Sequence, residues 1–355
     1  MRALLHELAL DGVITFGSTM RPGPLLYLSG YVATNGSACL WLDAGSATLL
    51  TDQPWDVEVA RAQSWLGHDA VHATEAMGSE LAELIGAAER VGVIGWDILP
   101  APVADALRGV DGRRVELVDI GADAARLRMV KTPAELALIR EACTITSTGA
   151  AALARETRAG ISERELAAAI EAAMRMAGSG PLAFPLVLGA GATQTASGVP
   201  LPGDRLLEQG DLVLLDCGGT YRGYCGDMAR ALVVGDPDGE QTRLLDTALS
   251  IFERCAELLA PGTPASEIHR MATTTAKDAG FQLPFLLGHG IGCQNWEPPL
   301  LSESDETELE PGMVITLEPG LYVPGLGGAR LENTFLITKT GAEALTTGPI
   351  KLWES

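Results

Sequence analysis

Gly210-Asp211-Leu212-Val213-Leu214-Leu215-Asp216-Cys217-Gly218 and Gly312-Met313-Val314-Ile315-Thr316-Leu317-Glu318-Pro319-Gly320 read as one pattern written twice. In each, a glycine admits an apolar run long enough for a strand buried on both faces, and the run ends on a carboxylate and a glycine turn. The copies are 102 residues apart. An internal repeat of that period predicts two similar halves packed about a pseudo-two-fold axis.

Working outward, each copy follows a pair of helical stretches. Thr132-Pro133-Ala134-Glu135 combines an N-cap threonine, a proline at the first helical position and a glutamate three residues after the cap. It opens a helix to about residue 158, and Ser162 with Glu165 opens another to about 177. Helices over about 240–259 and from Thr263-Pro264 to before Gly280 repeat the order. Residues 131–355 are therefore expected to form a pseudosymmetric α+β domain. From Leu4 to about Leu127, short apolar runs alternate with Ala-rich helical stretches, and 25–31, 38–42, 48–51, 91–96 and 115–118 read as strands. A smaller α/β domain is expected over 1–130, with the boundary near 128–131.

Composition narrows the function. The chain has 355 residues, 46 acidic against 25 basic side chains and a formal charge of −21. That balance argues against phosphate backbones and anionic membranes as partners, so neither nucleic acid nor membrane is expected. Glu7 and Asp11 stand where a secretory segment would be apolar, no run approaches a membrane span, and the six cysteines form no C-x-x-C pair. A cytoplasmic protein with reduced, buried thiols is the expectation. No lysine follows a glycine, so a P-loop is absent, as is a G-x-S-x-G elbow. His68 and His72 have the spacing of a zinc helix but lack its glutamate, and 71–74 reads as strand.

The chemistry lies at the strand ends. Asp216 and Glu318 each follow a buried run and so need a partner, because an unpaired buried carboxylate takes up a proton or costs several kcal/mol. Asp227 comes 11 residues after Asp216, across the hairpin-like Gly218-Gly219-Thr220-Tyr221-Arg222-Gly223. Glu332 comes 14 after Glu318, across Pro324-Gly325-Leu326-Gly327-Gly328. Four carboxylates would converge, and divalent cations are the usual remedy for their repulsion. Any one of them alone could be an ordinary surface charge; the fourfold coincidence argues otherwise. His289, within Gly288-His289-Gly290-Ile291-Gly292, completes the set.

On these residues the chain resembles the pita-bread metallopeptidases, the family of methionine aminopeptidase, Xaa-Pro aminopeptidase, prolidase and the metal-free creatinase. The resemblance rests on Leu215-Asp216-Cys217-Gly218, Gly226-Asp227-Met228-Ala229-Arg230, His289-Gly290-Ile291-Gly292, Leu317-Glu318-Pro319-Gly320 and Arg330-Leu331-Glu332-Asn333, in order. Tyr27-Leu28-Ser29-Gly30-Tyr31 and the linker Leu127-Arg128-Met129-Val130-Lys131 extend it to a creatinase-type N-terminal domain. It implies a pita-bread C-terminal domain and two divalent ions, with Asp216 on one, His289 and Glu318 on the other, and Asp227 and Glu332 bridging. Four carboxylates and one imidazole are a hard ligand set, which favours Mn²⁺ while Co²⁺, Fe²⁺ and Zn²⁺ also fit. It further implies attack on a scissile carbonyl by metal-activated water, Glu318 moving the proton, and a homodimer.

One departure stands out. The non-metal histidines with which the family's Xaa-Pro peptidases hold substrate are replaced by Ser197, Phe285 and Trp296, the positions then expected to meet substrate. Only His269 and His289 remain in 131–355, and His269 reads as a surface or packing residue. Trp296 offers an apolar face for a ring or a quaternary ammonium, sulfonium or guanidinium group, or simply packs. Arg230 and Arg330 flank ligands and are expected to partner the carboxylates, ordinary surface ion pairs being the alternative. The expected function is hydrolysis of an amide bond in a small peptide, Xaa-Pro dipeptidase-like with an atypical substrate site. The alternatives are C–N or C–S cleavage of a small zwitterionic metabolite and a catalytically silent binding protein.

Overall fold

The computed structural model describes residues 1–19, 21–34, 36–110, 113–283 and 286–353; Phe285 lies outside them. Two compact units result, Met1–Arg128 and Met129–Ser355. No described helix is long and apolar enough to cross a membrane.

The first unit is built on a mixed six-stranded sheet. Its order is Val71–Ala73, Ala47–Thr51, Ser37–Asp43, Gly12–Ser18, Arg90–Ile94, Glu116–Asp119. Helices cover both faces, burying Leu25, Leu40 and Leu49 against one and Ile14, Leu81 and Leu107 against the other. The stretch 25–31, expected as a strand, is instead the end of helix Gly23–Ser29, closed by Gly30 in the left-handed region at φ 80°. This helix packs against the strand Gly12–Ser18. His68 falls in a single 3₁₀ turn and His72 on a strand, so they do not share a helix face.

In the second unit both predicted capping boxes form, at Thr132/Glu135 and Ser162/Glu165, and start helices Pro133–Glu156 and Glu163–Met176. Helices Gly239–Ala256 and Ala265–Asp278 follow in the second half. The 102-residue repeat is visible in the backbone pairing itself. Ser162 bridges Leu206 as Pro264 bridges Glu308. Gly160 N donates to Leu207 O as Gly262 N donates to Leu309 O, each at 2.8 Å.

Each half contributes a sheet. Leu212–Cys217 lies between Met228–Val233 and Val187–Ala190; Val314–Leu317 lies between Leu286–Gly290 and Asn333–Ile337, with Glu297–Ser302 and Ala342–Ala344 at the edges. The two sheets meet where the carboxylates sit: Glu332 N donates to Ala229 O at 3.0 Å, and Thr334 Oγ1 to Asp227 O at 2.8 Å. Two apolar cores lie beneath the helices, one around Leu166, Ile170 and Val213, the other around Leu244, Ile268 and Ile315.

Candidate metal centre

Asp216 stands near the end of the fully buried strand Leu212–Cys217 and pairs with Ala229, two residues beyond Asp227. Glu318 follows Val314–Leu317, its amide donating to Leu287 O at 2.8 Å, and Glu332 precedes Asn333–Ile337. His289 lies on Leu286–Gly290. One oxygen each of Asp216, Asp227 and Glu332 lie within 4.8 Å of one another, and all three residues are buried. His289 Nε2 is 3.4 Å from Glu318 Oε1 and 3.8 Å from Asp227 Oδ2.

Burial and mutual repulsion govern this cluster. Burial first, then the neighbouring Asp216 and Glu318 charges, drive the Asp227 carboxyl well above its usual range; burial and three neighbouring acids do the same to Glu332. Burial also raises Asp216, against the pull of Arg330, and lifts Glu318 to about 7. His289 moves the other way, to about 4, because burial disfavours the imidazolium. Its Nδ1 sits 3.0 Å from Gly290 O. A carbonyl only accepts, so Nδ1 carries the proton and Nε2 turns a lone pair toward the acids.

Asp216 Oδ1, Asp227 Oδ1, Glu318 Oε1 and both Glu332 oxygens are buried without a hydrogen-bond partner. Five orphaned oxygens beside an imidazole lone pair form a set of acceptors with no donor. Buried polar groups in native proteins are satisfied, so this arrangement fits divalent cations, and its oxygen-rich chemistry suits hard ones.

Arg330 reaches the centre. Its Nη1 pairs with Asp216 Oδ2, its Nε donates to the Tyr322 hydroxyl at 2.9 Å and its Nη2 to Gly198 O at 2.9 Å. Arg230 does not behave as expected. Its guanidinium donates to the backbone oxygens of Pro349, Ala229 and Glu332 and to Asn333 Oδ1, rather than to a carboxylate. Strand alternation is the reason. Arg230 pairs with Leu215, one step from the Asp216–Ala229 pair, and so points to the opposite face. Arg330 and Glu332 share parity.

Tyr322 was not singled out in the sequence. Across the hairpin it pairs with Gly328, while Arg330 pairs with Gly320, so each large side chain crosses over a glycine. A Cβ at residue 328 would lie 2.5 Å from Tyr322 Cδ1 and 2.3 Å from Thr195 O. Gly328→Ala is therefore expected to displace Tyr322 and cost about 1–3 kcal/mol. Thermal denaturation checks it, and a wild-type Tm would contradict it. Asn295 was also missed: its side chain lies against Asp227 and partly counters the upward push of burial.

Trp296 is 56% exposed and lies on His289, ring centroids 4.9 Å apart at 33°. Ser197 is exposed, its hydroxyl donating to Gln194 O at 2.7 Å. It adjoins Gly198, whose carbonyl accepts from Arg330, without itself touching the acids. His269 is buried on its helix, a packing residue, and all six cysteines are buried thiols outside any disulfide.

Comparison with known proteins gives this geometry its context. Residues 137–339 match the model of metallopeptidase family M24, and residues 1–130 the creatinase/prolidase N-terminal domain. The Xaa-Pro dipeptidase of Pyrococcus furiosus is 40% identical over 222 residues, 62% of this chain; the chain thus spans 64% of that relative's length. An uncharacterized peptidase of Bacillus subtilis, YqhT, is 28% identical over 99% of this chain and 98% of its own. Among solved structures, the prolidase from Pyrococcus furiosus superimposes with a TM-score of 0.88 and 32% identity, covering 98% of this chain and all of that one. The Xaa-Pro dipeptidase from Bacillus anthracis gives 0.87 and 26%, covering 98% and 96%. With its family model, its pita-bread architecture and its cluster of buried acids, the chain belongs to metallopeptidase family M24, a family of metal-dependent hydrolases.

Proposed function

We propose that the protein is a metal-dependent peptidase that cleaves small Xaa-Pro peptides. The observation that carries this is the set of five orphaned carboxylate oxygens on four clustered acids, one of them, Glu318 Oε1, 3.4 Å from His289 Nε2. The names of the relatives supply the substrate class: a prolidase and Xaa-Pro dipeptidases. In this reading Asp216, Asp227, His289, Glu318 and Glu332 would hold two divalent ions, with Mn²⁺ best suited to the donor set. When bound, the ions supply Lewis-acid polarisation of the scissile carbonyl and lower the pKa of attacking water.

The chain's own residues do the rest. Glu318 takes a proton from the attacking water at its Oε atoms and returns it to the leaving amine. His289 stays neutral because burial disfavours the imidazolium, and Gly290 O keeps its single proton on Nδ1. Arg330 works against the burial that raises the Asp216 carboxyl, and donates to the Tyr322 hydroxyl. Ser197, Phe285 and Trp296 are assigned to the substrate side, and the protein to a cytoplasmic homodimer.

Exhaustive chelation is expected to abolish hydrolysis of Xaa-Pro dipeptides, and Mn²⁺ to restore it. Activity indifferent to chelation would refute the proposal. A second reading is motivated by the exposed indole on His289: a small cationic or zwitterionic substrate held through cation–π contact. It predicts turnover in a screen of such metabolites together with inactivity on every Xaa-Pro dipeptide tried.

A further inference from the structure

Lys131 and Glu297 are 166 residues apart in sequence, and their side chains are each only 1% exposed. Lys131 Nζ lies 3.3 Å from Glu297 Oε2 and 3.3 Å from Met129 O. Removing two charges from water is expensive, and an apolar pair of similar volume generally packs as well. A carboxylate at this position does something an apolar group would not. Glu297 Oε1 accepts from Gln294 N at 3.2 Å and from Cys293 Sγ at 3.5 Å.

The loop 291–296 is closed around that carboxylate. Gly292 N donates to Gln294 O at 3.0 Å, and Gly292 O accepts from Cys225 N at 2.9 Å. Space for the ion pair is left by Gly292 itself: a Cβ there would come 2.9 Å from Glu297 Oε2 and 3.1 Å from Lys131 Cε. Two side chains project from this loop toward the centre, Asn295 against Asp227 and Trp296 on His289. Glu297 directly follows Trp296 and pairs with Gly290, whose carbonyl orients His289. Lys131 is itself tied down, its amide donating to Gly312 O at 2.9 Å, two residues before the strand Val314–Leu317 that leads to Glu318.

We propose that Lys131 and Glu297 are positioning residues, whose buried ion pair fixes loop 291–296 and so holds the Trp296 indole on His289 as the substrate-facing wall of the site. The inference rests on the reading of His289 as a metal ligand and of Trp296 as a substrate contact. The pair acts through the loop and touches no reacting atom.

The test uses the full-length protein and Mn²⁺, a paramagnetic quencher of nearby indoles. Wild-type and Trp296→Phe proteins are titrated with Mn²⁺, and the difference in tryptophan quenching isolates Trp296 among the six tryptophans. That difference is expected to be clear in the wild type, to collapse in Lys131→Met and Glu297→Gln, and to survive in Lys131→Arg, which keeps the charge. KM for an Xaa-Pro dipeptide is expected to rise on the order of tenfold in the first two variants while kcat changes little. Folded Lys131→Met and Glu297→Gln proteins with wild-type quenching and wild-type KM would overturn the proposal, as would absence of any Trp296 signal in the wild type. Should Lys131→Met not fold, the isosteric Glu297→Gln decides by the same two readouts. A loaded wild type that hydrolyses no Xaa-Pro dipeptide refutes the peptidase reading, and the quenching comparison then still decides the positioning role.

Discussion

Asp227→Asn is expected to abolish metal-dependent hydrolysis and, in the same protein, to raise the stability of the metal-free fold. Both effects have one cause. Asp227 sits among Asp216, Glu318 and Glu332, with its carboxyl driven well above the usual range by burial and like charges. Removing one negative charge relieves repulsion when no cation is bound, and removes a ligand when one is.

The stability effect has a definite pH dependence. The four acids all have folded pKa values above their unfolded ones. At these four positions the folded protein binds more protons than the unfolded chain above about pH 4, so their contribution to metal-free stability falls as pH rises, while His289, lowered to about 4, contributes in the opposite sense up to its ordinary 6.5. For Glu318 the loss runs from about its ordinary 4.5 through about 7 and amounts to on the order of 3 kcal/mol. Metal-free Asp227→Asn should thus melt above metal-free wild type at pH 8, with the gap closing toward pH 4. Metal at roughly 100 times its Kd should stabilise the wild type by about 2.7 kcal/mol and leave Asp227→Asn nearly unmoved. Calorimetric scans with and without Mn²⁺ check both; a variant less stable than wild type in both states would show that Asp227 is merely structural.

Glu318→Gln is the second large effect. Glutamine preserves shape and one carbonyl oxygen but carries no exchangeable carboxyl proton, so kcat should drop by about 10²–10⁴ while KM stays close to wild type. The site's other proton-carrying groups do not compensate: His289 is pinned neutral by burial with its proton facing Gly290 O, and Trp296 is a donor only. Steady-state kinetics on Mn²⁺-loaded enzyme measure this. Wild-type kcat would remove Glu318 from proton transfer and leave it a ligand alone.

Much of this was legible before any coordinates. The 102-residue repeat and the two capping boxes are local patterns with a direct physical reading, and both appear in the backbone pairing. The acids stand out because a carboxylate ending a four-residue apolar run is costly without a cation. What failed was equally physical. The stretch 25–31 opens on the apolar run Leu25-Leu26-Tyr27-Leu28, and such a run does not separate a strand from a short buried helix; the Gly30 cap and the prolines before it are the usable signal. Arg230 was judged by nearness to Asp227 in sequence, whereas strand parity sends it to the far face. Tyr322, Asn295 and the Lys131–Glu297 pair meet their partners across 8 to 166 residues, distances at which side-chain pairing leaves no periodic trace.

The central claim is that these five residues hold two divalent ions. Anomalous scattering from crystals grown with Mn²⁺ tests it most directly. The account predicts two peaks per chain, bounded by Asp216, Asp227, His289, Glu318 and Glu332. Crystals in saturating Mn²⁺ with no peak among those side chains would contradict it.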